Sequence, residues 1–148
     1  MKRVLFVCHG NICRSPMAHF VFQHLVEQAG RGGEFTINSA ATHMDELGSP
    51  IYPPARRKLL EEGVPLLEHR ATLLSKADYG RYDYIIGMDS ANLRNMHRIF
   101  GGDPEGKISL LLDRTDRPRD VADPWYTGDF DATWRDISTG CKILLQEL

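Results

Sequence analysis

The stretch Val4-Leu5-Phe6-Val7-Cys8-His9-Gly10-Asn11-Ile12-Cys13-Arg14-Ser15-Pro16 decides the reading of this chain. Its first four residues are uncharged and aliphatic or aromatic, the pattern of a strand covered on both faces. Gly10 then lets the backbone curl closely, and Ser15-Pro16 marks the start of a helix, whose first turn tolerates the missing N–H of proline. A strand that runs through a short loop into a helix is the opening unit of an α/β sheet.

Outward from this unit the alternation repeats. Further strands are expected at Phe35-Thr36-Ile37, at Tyr84-Ile85-Ile86, and at Ile108 with Leu110-Leu111-Leu112. Between them, Ala18, Val21, Phe22, Leu25 and Ala29 form one helical face, and Leu93, Met96 and Phe100 form another, in a helix from near Asp89 to Gly101-Gly102. A helix from about Ala55 to Glu62 is closed by Gly63 and entered from the Pro-rich loop Ser49 to Pro54. The last helix carries Phe130, Trp134, Ile137, Cys141, Leu144, Leu145 and Leu148 on one stripe after a cap at Asp129. The order βαβαβαβα predicts a single domain over residues 1–148. It is a four-stranded parallel sheet with right-handed crossovers and helices on both faces, of the flavodoxin or Rossmann kind. Ligands of such sheets sit beyond the carboxyl ends of the strands, where the first strand meets Cys8.

Composition narrows the partners. With 148 residues, 18 Lys+Arg and 20 Asp+Glu, the formal charge is -2, which offers no general attraction to nucleic acid or an anionic membrane. The longest apolar runs fall far short of the roughly 18 residues that span a bilayer, and the cations Lys2-Arg3 precede too short a stretch to be a signal peptide. Three cysteines, Cys8, Cys13 and Cys141, are an odd number without framework spacing, so at least one free thiol and a cytoplasmic address are expected.

The loop from Cys8 to Ser15 carries the chemistry. Between a strand end and a helix start it exposes backbone N–H groups, and the helix adds the positive end of its dipole, so the turn suits an anion. Gly10 allows close approach, and the planar fork of Arg14 holds two oxygens of a tetrahedral phosphate. Donors and a cation around Cys8 stabilise negative charge on its sulfur, which makes it a nucleophile; the Ser15 hydroxyl can donate to the same sulfur. A metal held by Cys8, His9 and Cys13 is disfavoured, because four residues separate the cysteines and an arginine lies inside the loop. Cys141 reads as core packing, and Arg56-Arg57-Lys58 with Glu61-Glu62 as a solvated helix face.

The spacing of cysteine, five residues, arginine and serine after a first strand resembles the low-molecular-weight protein tyrosine phosphatases. The likeness extends through Ser39-Ala40-Ala41, His69-Arg70-Ala71, Tyr82 to Asp89 and Asp123-Pro124-Trp125-Tyr126. It implies hydrolysis of phosphotyrosine without metal or other cofactor, through a phosphocysteine intermediate on Cys8. Arg14 and the loop amides of His9, Gly10, Asn11, Ile12, Cys13, Arg14 and Ser15 would bind phosphate. Asp123 would be the general acid and base, lying in the loop Asp113 to Thr127 that returns to the same sheet edge; without the resemblance, Asp116 and Asp120 compete for this role. By the same resemblance Asn11, Ser15, Ser39 and His69 keep the loop in shape, His9, Trp125 and Tyr126 line the cleft, and Cys13 traps an oxidised Cys8 as a disulfide. The implied partners are phosphotyrosine proteins and a counteracting tyrosine kinase, with a monomer or weak dimer as the expected assembly.

One departure concerns specificity. Six residues after Ser39, where many members of this family carry an aromatic, stands Asp45 with Glu46 beside it. An acidic rim there disfavours acidic phosphopeptides and favours basic ones, unless the loop moves Met44 into the gap. A sister activity on phosphoarginine typically carries threonine where this chain has Ile12. A thiol relay of the arsenate reductase kind lacks its cysteines, since none lies between Cys13 and Cys141.

Overall fold

The structure, a computed structural model, describes residues 1–148. Strands β1 (Lys2–Cys8), β2 (Phe35–Ala41), β3 (Tyr84–Gly87) and β4 (Ile108–Leu110) form one parallel sheet in the order β2-β1-β3-β4. The chain passes from β1 to β2 on one side and then crosses to β3 on the other, which makes the carboxyl end of β1 a topological switch point. Register brings the strand ends together there: Cys8 lies beside Ala41, Val7 beside Gly87, and Gly87 beside Leu110.

The period of two along β1 distributes its side chains between two cores. Val4 and Phe6 enter the larger, with Met17 and Phe20 of helix α1 (Arg14–Gln28), Leu59 of α2 (Pro53–Glu61), and Ile137, Cys141 and Leu144 of α6 (Phe130–Glu147). Leu5 and Val7 enter the smaller, with Ile85 and with Met96 and Phe100 of α4 (Ser90–Phe100). Covered on both faces, β1 is a rigid support for the loop that follows it. Phe6, with no exposed surface, contributes roughly 1.5–3 kcal/mol by its burial alone. Helix α4 begins at a reciprocal cap, in which Asp89 accepts from the Asn92 N–H at 2.8 Å and Asn92 accepts from the Asp89 N–H at 3.0 Å.

Two expectations are corrected. Leu111 and Leu112 do not extend the fourth strand; they open a 3-10 turn (Leu111–Arg114) and bury their side chains in the larger core. Their apolar run reports burial, which a turn beneath α6 satisfies as well as a strand does: at Gly140 of α6 an added Cβ would lie 2.6 Å from Leu111 Cγ. The alternation is also interrupted by two four-residue helices, α3 (Asp78–Arg81) and α5 (Pro124–Thr127), which are too short to show periodicity. Smaller shifts of boundary occur at α1, which starts at Arg14, and at α2, which spans Pro53–Glu61. No helix is long and apolar enough to cross a membrane.

Candidate active site

The loop after β1 is shaped from below by Asn11. This residue has φ 59°, the left-handed region, which asparagine enters more readily than most L residues. Both polar atoms of its side chain are engaged: Nδ2 donates to Ser15 Oγ at 2.7 Å and to Ser39 Oγ at 2.9 Å, and Oδ1 accepts from the Thr72 N–H at 3.0 Å. Its carbonyl accepts from His69 Nε2 at 2.7 Å. Burial lowers the pKa of His69, against the opposing effect of this bond, and so favours the neutral ring that donates from Nε2. The structure therefore brings together Asn11, Ser15, Ser39 and His69, all four residues expected to support the loop. Thr72 joins them without a sequence signal, since its contribution is a backbone N–H that any residue but proline possesses.

Above this network Cys8 Sγ lies 3.0 Å from Ser15 Oγ and accepts from the Ser15 N–H at 3.4 Å. Arg14 is only 2% exposed, an unusual state for a charged side chain. Its guanidinium donates to Asp89 Oδ2 at 2.7 Å, to the Val121 carbonyl at 2.9 Å and to Asp123 Oδ2 at 3.4 Å. Burial works against its charge, but negative charge on Cys8, Asp89 and Asp123 outweighs burial and raises its pKa. The sequence pattern marks Asp89 as a helix start and gives it no role beside Arg14. The missed signal was physical: a buried arginine requires a counter-charge, and Asp89 follows β3, the strand beside β1.

Asp123 precedes Pro124 with extended backbone, φ -77° and ψ 111°, as the proline demands. Its Oδ1 accepts from the Trp125 N–H at 3.0 Å, capping α5, which leaves Oδ2 facing Arg14. Asp120 is occupied elsewhere, accepting from the backbone and hydroxyl of Ser90, and neither it nor Asp116 lines the cleft.

The cleft has a volume of about 170 Å³, with Cys8, Cys13 and Arg14 among its lining residues. Its two sides differ in chemistry. Trp125 and Tyr126 form an aromatic side, with Trp125 braced on Tyr52 at a centroid distance of 4.9 Å. Asp45, Glu46 and His9 form a charged side. Asp45 Oδ2 lies 2.8 Å from His9 Nε2, which holds its carboxyl below the usual carboxylate range, and the His9 ring stacks on His43 at 4.1 Å. Met44 does not fill the gap; it is 64% exposed and lies outside the cleft lining. Cys13 is free and buried, and its thiol pKa is pushed up by burial and then by negative charge on Cys8 and Asp123. Cys141 packs in the core against Ala18, as expected.

A doubly wound sheet thus brings a cysteine, a buried arginine and a carboxylate together at its switch point, the arrangement of a site that can hold an anion beside a thiol. Residues 3–148 match the family model for low molecular weight phosphotyrosine protein phosphatase. The chain is 37% identical over 150 residues to the low molecular weight protein-tyrosine-phosphatase YfkJ of Bacillus subtilis, covering all of this chain and 96% of that one. The crystal structure of YfkJ superposes with a TM-score of 0.96 over 99% of this chain and 94% of its own. A human low molecular weight phosphotyrosine protein phosphatase is 34% identical over 151 residues, covering 99% and 95% of the two chains. A Drosophila arginine phosphatase structure is 31% identical, with a TM-score of 0.88 over 99% of this chain and 97% of that one. This chain belongs to the low molecular weight phosphotyrosine protein phosphatase family.

Proposed function

We propose that this protein hydrolyses phosphotyrosine in proteins, with Cys8 as nucleophile, Arg14 as phosphate fork and Asp123 as general acid and base. The observation that carries this reading is the Cys8 sulfur, which accepts from the Ser15 N–H and lies 3.0 Å from the Ser15 hydroxyl, in the same cleft as Arg14 and Asp123. In the first step Cys8 attacks phosphorus, the bond from phosphorus to the phenol oxygen breaks, and Asp123 gives its proton to the departing phenolate. The loop amides and Arg14 hold the equatorial oxygens in an environment that needs little reorganisation. In the second step Asp123 takes a proton from water, the resulting hydroxide attacks phosphorus, and the Cys8 thiolate leaves toward the Ser15 hydroxyl. Inorganic phosphate is the product.

Phosphoarginine is the second reading, favoured by the similarity to the Drosophila structure and opposed by Ile12. Phosphate release from matched phosphotyrosine and phosphoarginine peptides, with EDTA present and Cys8→Ser as control, separates them. Cys8-dependent release from phosphotyrosine supports the proposal; selective release from phosphoarginine overturns its substrate.

The setting proposed is the reducing cytoplasm, opposite a tyrosine kinase, with a monomer or weak dimer as the working form. Cys13 serves as a resolving thiol: peroxide oxidises Cys8 to a sulfenic acid, the Cys13 sulfur displaces water from it, and a disulfide protects the nucleophile until a thiol reduces it. Peptide mapping after peroxide treatment tests this, and an absent Cys8 to Cys13 link rejects it.

A further inference from the structure

His9, Asp45 and Glu46 line the same cleft as the phosphate loop, at whose rim the residues flanking a phosphotyrosine would lie. The two carboxylates are not equivalent. Asp45 is paired with His9 Nε2, and the His9 ring is stacked in turn on His43, so the Asp45 carboxylate already has a partner within the protein. Glu46 has no cation. Its Oε2 accepts only from the neutral Ser49 hydroxyl at 3.2 Å, and its Cγ would lie 3.6 Å from a Cβ placed on Gly10, so it leans over the phosphate loop itself. It lines the same cleft as Cys8, Cys13 and Arg14. A half-buried carboxylate beside a site for a phosphate dianion opposes binding, and only a substrate that brings a cation to it reverses that effect. The aromatic side, half-exposed Trp125 with exposed Tyr126, offers stacking and no charge.

We propose that Glu46, seconded by Asp45, selects phosphotyrosine flanked by arginine or lysine. The proposal rests on the phosphotyrosine reading above and adds the sequence context of the substrate. Glu46 is a specificity-determining residue, acting on the neighbours of the phosphotyrosine and not on the reacting atoms.

The test uses two peptides identical except that phosphotyrosine is flanked by two arginines in one and two glutamates in the other, with kcat/KM measured at low and high salt. At low salt the arginine peptide is favoured roughly tenfold, the scale of two partly exposed charge pairs, and high salt reduces the preference. Glu46→Gln keeps the acceptor for Ser49 and lowers the preference to about threefold or less; Glu46→Lys inverts it; Asp45→Asn with Glu46→Gln brings it to about one. Each variant is its own fold control, because the inference is read as a ratio within one preparation. Turnover without a preference, or a preference unchanged in Glu46→Gln and Glu46→Lys, overturns this inference and leaves the phosphatase reading standing. No Cys8-dependent turnover of either peptide overturns both.

Discussion

Asp89→Asn isolates the ion pair that holds the phosphate fork. The pair spans 2.7 Å between a guanidinium that is 2% exposed and a carboxylate that is 20% exposed, so solvent screens it little. Asparagine caps helices about as well as aspartate, so the start of α4 survives and the lost element is charge. A hydrogen bond to a charged group is worth about 1.5–3 kcal/mol, and the single amide oxygen of asparagine stays with the Asn92 N–H, so the bond from Arg14 is lost; we expect a net loss of about 2 kcal/mol. For a chain of this length that lowers Tm by about 5 °C. Saturating inorganic phosphate supplies Arg14 with another anion, so it should stabilise the variant more than the parent and close much of the gap. With the fork less firmly aimed, kcat/KM on a phosphotyrosine peptide should fall about tenfold. Thermal unfolding with and without phosphate, together with steady-state kinetics, reads all three effects. An unchanged Tm, or a deficit that phosphate leaves intact, would refute the assignment of Asp89 as the positioning partner of Arg14.

Three further outcomes follow from the same geometry. Asn11→Gly keeps the left-handed backbone but removes three side-chain hydrogen bonds, and Asn11→Ala also places an unfavourable residue at φ 59°. Both should lose at least tenfold in kcat/KM, with alanine less stable than glycine by about 1 kcal/mol; equal denaturant midpoints would show that the strain is relieved elsewhere. The pKa of His19 is lowered from 6.5 to about 4, chiefly by burial and then by His69, and its Nδ1 has no partner. Its stabilising contribution is present above the unfolded pKa and is lost as pH falls through the window down to the folded pKa. Between pH 7.5 and pH 5 that loss is about 2 kcal/mol, and His19→Gln should flatten the corresponding fall in Tm; an unchanged slope would assign the acid sensitivity to other groups. Gly140→Ala ordinarily gains about 1 kcal/mol of helix propensity, but its Cβ would meet Leu111 Cγ at 2.6 Å, so a net loss of about 1–2 kcal/mol is expected by chemical denaturation.

What is legible in the sequence is what is local. Strand, loop and helix from Val4 to Pro16 occupy consecutive residues, and their patterns state their structure directly. Asn11, Ser39 and His69 are legible through family resemblance alone, because their bonds cross 28 and 58 residues of chain. The pairing of Arg14 with Asp89, 75 residues away, depends on β3 lying beside β1, which no periodicity reveals. Leu111 and Leu112 mislead for a related reason: hydrophobicity records burial, and two geometries achieve it. Asp123 is chosen over Asp116 and Asp120 by resemblance; in the structure Asp123 lines the cleft, whereas the loop turns Asp120 toward Ser90. At the rim, Asp45 is visible as a departure, whereas Glu46 rather than Met44 facing inward depends on the conformation of the loop.

The central claim is covalent catalysis by Cys8, and the most direct measurement is intact-mass and peptide-mapping spectrometry on Asp123→Ala, acid-quenched during turnover of 4-nitrophenyl phosphate, whose leaving group departs without a proton so that the first step does not need Asp123. Without the base that activates water, the second step is slowed, and the account predicts one added phosphoryl group on the peptide containing Cys8. Phosphate release with no phosphoprotein trapped, or a phosphoryl group on any other residue, would contradict it.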